Sequence, residues 1–144
     1  MSRVLEDVMW NSQNLQWIDL SYNYLETIDQ EILKFPHLRT LYLHCNYISN
    51  LEEVRKLQDL EQLRNLTLYG NAIEQIKGYR LYVLGLMFEK NENLHKLDSV
   101  LVSKGEFNSS IVWNERLYSH GGPQKKNLGK LTKKLEKVHK PPAE

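Results

Sequence analysis

The chain has few of the features that mark secretion, membrane insertion or catalysis. Cys45 is the one cysteine in 144 residues, so no internal disulfide forms and a reducing compartment is expected. No stretch reaches the roughly 18 apolar residues that a membrane span needs. The opening MSRVLEDVMWNS carries Glu6 and Asp7 inside its apolar positions and lacks the h-region of a signal peptide. The histidines, His37, His44, His95, His120 and His139, show no H-x-x-x-H spacing, and a single cysteine makes no C-x-x-C. His44 and Cys45 are adjacent, but a Cys–His nucleophile pair needs side chains in contact and a third orienting group. The seven glycines form no phosphate loop. A soluble cytoplasmic protein is expected, not an enzyme, with no metal, no cofactor, no small-molecule substrate and no membrane contact.

Charge of one sign is scarce only on average. The net charge is +1, yet residues 124–144 hold seven lysines against two acids, which leaves about −4 for the other 123 residues. A mildly acidic body and a basic tail imply two regions with separate jobs.

What is present is repetition. LQWIDLSYNYLETI (15–28), LRTLYLHCNYISNL (38–51) and LRNLTLYGNAIEQI (63–76) match position by position, at spacings of 23 and 25 residues. A weaker fourth copy, LHKLDSVL, starts at Leu94. The pattern L-x-x-L-x-L-x-x-N-x-L at this period is the signature of leucine-rich repeats. It predicts an α/β solenoid with a parallel concave sheet and convex helices or helical turns, closed by a C-terminal cap. Leu15, Ile18 and Leu20 should point inward from a short strand, with Leu25 and Ile28 packing from the far side. Asn23, Asn46 and Asn71 recur at the turn because an amide both donates and accepts, so a ladder of them can pair the backbone where the strands end. DQEILKFP, EEVRKLQDLEQ and KGYRLYVLGLMFEKNE read as the convex connections.

The domain reading is an N-terminal helix or partial repeat at 1–14, repeats and cap at 15–107, a post-cap helix at 108–119 and a flexible basic tail at 120–144. NSSIVWNERLY (108–118) carries that helix, with Asn108 or a nearby Ser as its N-cap. In the tail, Leu128, Leu131, Leu135 and Val138 fall at helical spacing, weakened by Gly129 and ended by Pro141-Pro142.

The repeats with helical connections resemble the SDS22-like subclass, whose cap has Y-R-x-x-V followed by L-x-x-L-D-x-x-x-V-x-x-x-E. Tyr79, Arg80 and Val83 match the first part, and Leu94, Leu97, Asp98, Val102 and Glu106 the second. Asn71-Ala72 replaces the usual Asn-Pro, and FEKNEN lengthens the path to the last strand. WIDLSYNYLETID, LYLHCNYISNLEEVRKL, LRNLTLYGN, KGYRLYVL and VWNERLY together resemble the family of leucine-rich repeat-containing protein 51. The resemblance runs from about Leu15 to Trp113. It implies a cytoplasmic, non-enzymatic protein of ciliated cells that works by binding other macromolecules. It also implies a further repeat upstream of Trp17, so the first strand is either an open edge or covered by a partner.

Strand alternation puts the x positions on the concave face. The columns are then Trp17–Thr40–Asn65, Asp19–Tyr42–Thr67, Ser21–His44–Tyr69 and Tyr22–Cys45–Gly70. Trp17, Asp19, Tyr22, Tyr42, His44 and Tyr69 are the candidate partner-binding residues, since interfaces favour exposed aromatics as anchors; alternatively the rings lie flat over their neighbours. In the tail, Lys125, Lys126, Lys130, Lys133 and Lys134 with Leu128, Leu131 and Leu135 are candidate contacts. They suit an acidic filament such as tubulin, or else form a solvated segment without a target. Nucleic acid is disfavoured, because no aromatic is interleaved with the lysines for base stacking. The functional expectation is an interaction adaptor in the ciliary axoneme. A regulatory subunit docking a phosphatase, or a spliceosomal-type partner in an RNA–protein complex, remain as alternatives.

Overall fold

The computed structural model describes residues 14–119; residues 1–13 and 120–144, with the N-terminal helix and basic tail expected there, lie outside it. Each repeat contributes one short strand: β1 at Trp17–Asp19, β2 at Thr40–Tyr42 and β3 at Asn65–Thr67. They pair in parallel and in the repeat register, Ile18 beside Leu41 and Leu41 beside Leu66. Parallel neighbours require a crossover, and here 3-10 segments supply it. These run over Gln30–Lys34, Leu51–Asp59 and Ala72–Gln75. Asp29 and Asn50 start the first two by accepting from the amides of Glu31 and Glu52, both at 3.0 Å.

Leucine spacing puts one interior behind the sheet. Leu41, Leu43, Leu66, Leu68 and Leu97 are fully buried, with Ile48, Leu51, Val54, Leu57 and Ile73 from the convex side. Leu15, Ile18, Leu20 and Leu25 pack on that core but are only partly buried. Glu53 buckles two convex segments together: its carboxylate accepts from the Ile28 amide at 2.9 Å and from Lys56 Nζ at 2.6 Å, while Lys56 Nζ also donates to the Ile28 carbonyl.

The amide ladder is present. Asn46 is 5% exposed; its Oδ1 accepts from the amides of Asn23 and Leu25, and its Nδ2 donates to the carbonyls of Leu20 and Leu43. Asn71 does the same one coil later, accepting from the Ile48 amide and donating to the Leu43 and Leu68 carbonyls. Asn23 is exposed and donates to the carbonyls of Leu20 and Ser21.

At the cap the sheet departs from an all-parallel array. β4 (Lys96–Leu97) continues in parallel from β3, and β5 (Val100–Leu101) then returns antiparallel to it. Among the described residues the sheet thus has five strands where four parallel ones were expected. Asp98 and Ser99 make the reversal, both with left-handed φ (53° and 66°), as a two-residue type I′ hairpin turn requires. Helix α1 (Tyr79–Phe88) covers this end, burying Val83, Leu84, Met87 and Phe88. The polar cap residues matched in the sequence meet: Tyr79 Oη donates to Asp98 Oδ2 at 2.7 Å, and Arg80 binds Glu106 and the carbonyls of Leu97, Val100 and Leu101. The lengthened loop after α1 uses a residue the pattern does not mark. Asn91, 1% exposed, donates to the Leu60 and Leu63 carbonyls and so pairs the end of the second convex segment.

Helix α2 spans Lys104–Ser119, starting four residues ahead of the expected 108–118 segment. Its start is a capping box, not Asn108: the Glu106 amide donates to Ser103 Oγ, and the Ser103 amide donates to Glu106 Oε2. Phe107 therefore belongs to the helix and packs on Phe88, ring centres 4.6 Å apart. Arg80, followed by the Ser103 amide, holds the Glu106 carboxyl below its ordinary value of 4.5. A carboxylate depressed in the folded state stabilises fully above its unfolded value and loses that contribution as pH falls through the lowered one. Glu106→Gln should therefore show a shallower loss of urea resistance between pH 5 and pH 3 than the native chain. Parallel slopes would mean that Glu106 carries none of the acid sensitivity.

Candidate functional site

The strands are three residues long, so one face of the sheet shows few side chains, and their identity sets what it can hold. Register places Trp17, Thr40, Asn65 and Lys96 side by side, with Asp19, Tyr42 and Thr67 in the next column. Beyond the strands, the Tyr22 amide donates to the His44 carbonyl and the Cys45 amide to the Tyr69 carbonyl, which carries the alignment into the turns.

Five of the six expected face residues are rings that form one connected strip. Trp17 meets Tyr42 edge-on with centres 6.0 Å apart, and Tyr42 lies 5.8 Å from His44. Tyr22 meets His44 edge-on at 5.4 Å, and His44 stacks on Tyr69 at 4.5 Å and 10°. The expectation of rings lying flat holds for His44 and Tyr69 alone. Edge-on packing leaves ring faces open, and Trp17 and Tyr22 are 54% and 74% exposed. His44 is fixed from below, its Nδ1 2.7 Å from Thr67 Oγ1. Thr67 itself is buried, so its column place offers nothing to a partner.

Asp19 is the sixth residue. Its Oδ1 accepts from both the amide and the hydroxyl of Ser21, and these bonds, with a smaller attraction from His44, hold the carboxyl below its ordinary value. The strip thus carries a fixed negative charge at its β1 end. The tail candidates, Lys125 to Leu135, lie outside the described residues.

At the far end of the strands a cleft of about 560 Å³ opens between Tyr22, Tyr24, Cys45, Tyr47, Gly70 and Gln75. Gly70 is required there. Its φ is +71°, and a Cβ on it would sit 2.8 Å from Cys45 Sγ. Cys45 is a small residue at a tight turn, as expected, with φ 58°.

The sequence reading missed the row just before the strands. Gln16, Arg39, Arg64 and His95 form a backbone staircase: Arg39 donates to the Gln16 carbonyl, Arg64 to Arg39 and His95 to Arg64, at 2.8–2.9 Å. Arg39, Arg64, His95 and the adjoining Lys96 are exposed. The signal was available, since each is the residue after the first leucine of its repeat.

Among the described residues no cluster of His, Cys, Asp and Glu could hold a metal ion, and no helix is long and apolar enough to cross a membrane. A family model described as "Leucine rich repeat" matches residues 13–73. The chain is a leucine-rich repeat protein. Its curated relatives are named leucine-rich repeat-containing protein 51, as the residue resemblance implied. The rat protein is 43% identical over 112 residues, covering 78% of this chain and 56% of its own length. The mouse protein is 52% identical over 83 residues, covering 58% of this chain and 43% of its own. This repeat protein therefore spans about half the length of the curated relatives it matches. Among solved structures, a chain of the Drosophila melanogaster SNF/U2A′ complex shares the fold, with a TM-score of 0.64 at 20% identity over 81% of this chain and 62% of that one.

Proposed function

We propose that this leucine-rich repeat protein is a non-enzymatic adaptor whose sheet face binds a protein partner within a larger assembly. The exposed strip of Trp17, Tyr42, Tyr22, His44 and Tyr69 carries this reading, because open aromatic faces on a rigid sheet are what interface anchors need. Size favours an assembly over a tight two-body complex. Five strands at about 4.8 Å spacing give a face roughly 20 Å wide, and a standard interface takes about 800 Å² from each partner. Cytoplasmic residence and a place on the ciliary axoneme are supported by the family resemblance, and an acidic filament such as tubulin as partner by the lysines of residues 124–144.

Substituting Trp17→Ala with Tyr42→Ala should leave the circular dichroism spectrum unchanged, since Trp17 is exposed and Tyr42 half-buried on the open face. The same variant should be recovered with axonemal fractions at least about tenfold less than the native chain, as removal of a hot-spot aromatic implies. Equal recovery of a folded double variant would remove the sheet face from the interaction.

A further inference from the structure

The cations of this molecule fall into two groups. On the convex side and cap, most cations have a counter-charge, Lys34 with Glu31, Arg55 with Glu52 and Glu89, Lys56 with Glu53, Arg80 with Glu106, and Lys90 with Asp59, and Lys77 and Lys104 stand singly among the described residues. At the start of the strands the arrangement is the opposite. Arg39 and Arg64 stand immediately before neighbouring strands β2 and β3, Lys96 lies one column on beside Asn65, and among the described residues none of the three has an acidic partner. Neighbouring strands are about 4.8 Å apart, so like charges are held close by the backbone staircase. Placing like charges opposite each other costs stability unless an anion bridges them.

We infer that Arg39 and Arg64 at the strand-start rim, with Lys96 one column on, bind an acidic segment of the protein partner, laid across the strands with its carboxylates on the two guanidiniums. The inference rests on the adaptor reading and gives its partner a chemistry. The row from Gln16 to His95 crosses four strands, about 15 Å, which an extended segment of roughly five residues spans. Arginine suits the task because its planar fork takes a carboxylate through two parallel bonds. Trp17 shares the strand-start column with Thr40, Asn65 and Lys96, so an apolar residue of the same segment meets an open ring at the β1 end. Asp19 favours a peptide over nucleic acid. It lies on the same face of β1 as Trp17, two residues on, and a phosphodiester chain, charged at every step, has no neutral link to place beside it. A peptide can set an uncharged residue there.

The test uses the full chain and a fluorescein-labelled peptide of ten residues, mainly glutamate with one tryptophan, read by fluorescence anisotropy. Binding should weaken as salt rises from 50 to 200 mM. Arg39→Gln with Arg64→Gln should weaken it about tenfold or more, while Arg39→Lys with Arg64→Lys recovers part of the loss. Because the tail lysines also attract glutamate, the same pair is measured in a full-length chain whose seven lysines in 124–144 are changed to glutamine, where the arginine dependence should persist. Equal binding by the native and Arg39→Gln/Arg64→Gln chains in that background would overturn the inference, as would an arginine-dependent preference for a single-stranded RNA of equal charge. Trp17→Ala/Tyr42→Ala separates the two readings. If it abolishes axonemal recovery while the arginine pair changes nothing, the adaptor stands and the acidic partner falls.

Discussion

Asn46→Leu should lower stability by roughly 2–3 kcal/mol, because it leaves the Asn23 and Leu25 amides unpaired at about 1–3 kcal/mol for each that water cannot reach, while the Leu20 and Leu43 carbonyls keep their bonds from Asn23 and Asn71. Leucine has nearly the shape of asparagine, so the loss is of hydrogen bonds rather than volume. For a body of this size that corresponds to a fall in melting temperature on the order of 10 °C. Differential scanning calorimetry decides it, and a midpoint within 2 °C of the native chain would show that the ladder is dispensable.

Asp98 should matter nearly as much, for a different reason. Its Oδ1 accepts from the amides of Leu68 and Tyr69 and its Oδ2 from Tyr79 Oη. Burial, then the neighbouring Asp98 charge, pushes the Tyr79 phenol far above its ordinary range, so it stays a donor at every working pH. Asp98 also holds the left-handed first position of the hairpin, which costs alanine more than aspartate or asparagine. Asp98→Ala should therefore cost about 3 kcal/mol, through two amides and a buried hydroxyl without partners. Asp98→Asn keeps an acceptor and tolerates the turn, and should cost under half as much. If both variants melt together, the carboxylate charge, not the geometry, is what the cap requires.

How much of this was legible follows from what repetition can and cannot encode. Leu41, Leu66 and Leu97 were placed by spacing alone, and so were Asn46 and Asn71, because each repeats a neighbour's environment. The cap was legible because Tyr79, Arg80, Asp98 and Glu106 form an unusual set at fixed offsets. The failures lie where repetition stops. β5 depends on an Asp-Ser turn, a weaker hairpin signal than Asn-Gly or Asp-Gly. The start of α2 was hidden because Gly105 depresses helix propensity in the first turn, and the Ser103–Glu106 box outweighs it. Asn91 sits in a loop without a counterpart in other repeats, so nothing marked it as buried. For the site, strand alternation located the ring strip but not its geometry. The arginine row escaped because it precedes the columns that alternation defines.

The three turns where β1, β2 and β3 end share a backbone twist that only one of their residues adopts readily. Tyr22, Cys45 and Gly70 all have positive φ, at 56°, 58° and 71°. For the two with side chains that twist costs about 1–2 kcal/mol. Each is held by its amide bond to the coil that follows, Tyr22 to His44 and Cys45 to Tyr69. Gly70 needs no such help. Strain in the described coils is therefore lowest beside the cap: the glycine turn holds its twist unaided, while the Cys45 and Tyr22 turns each lean on the coil that follows.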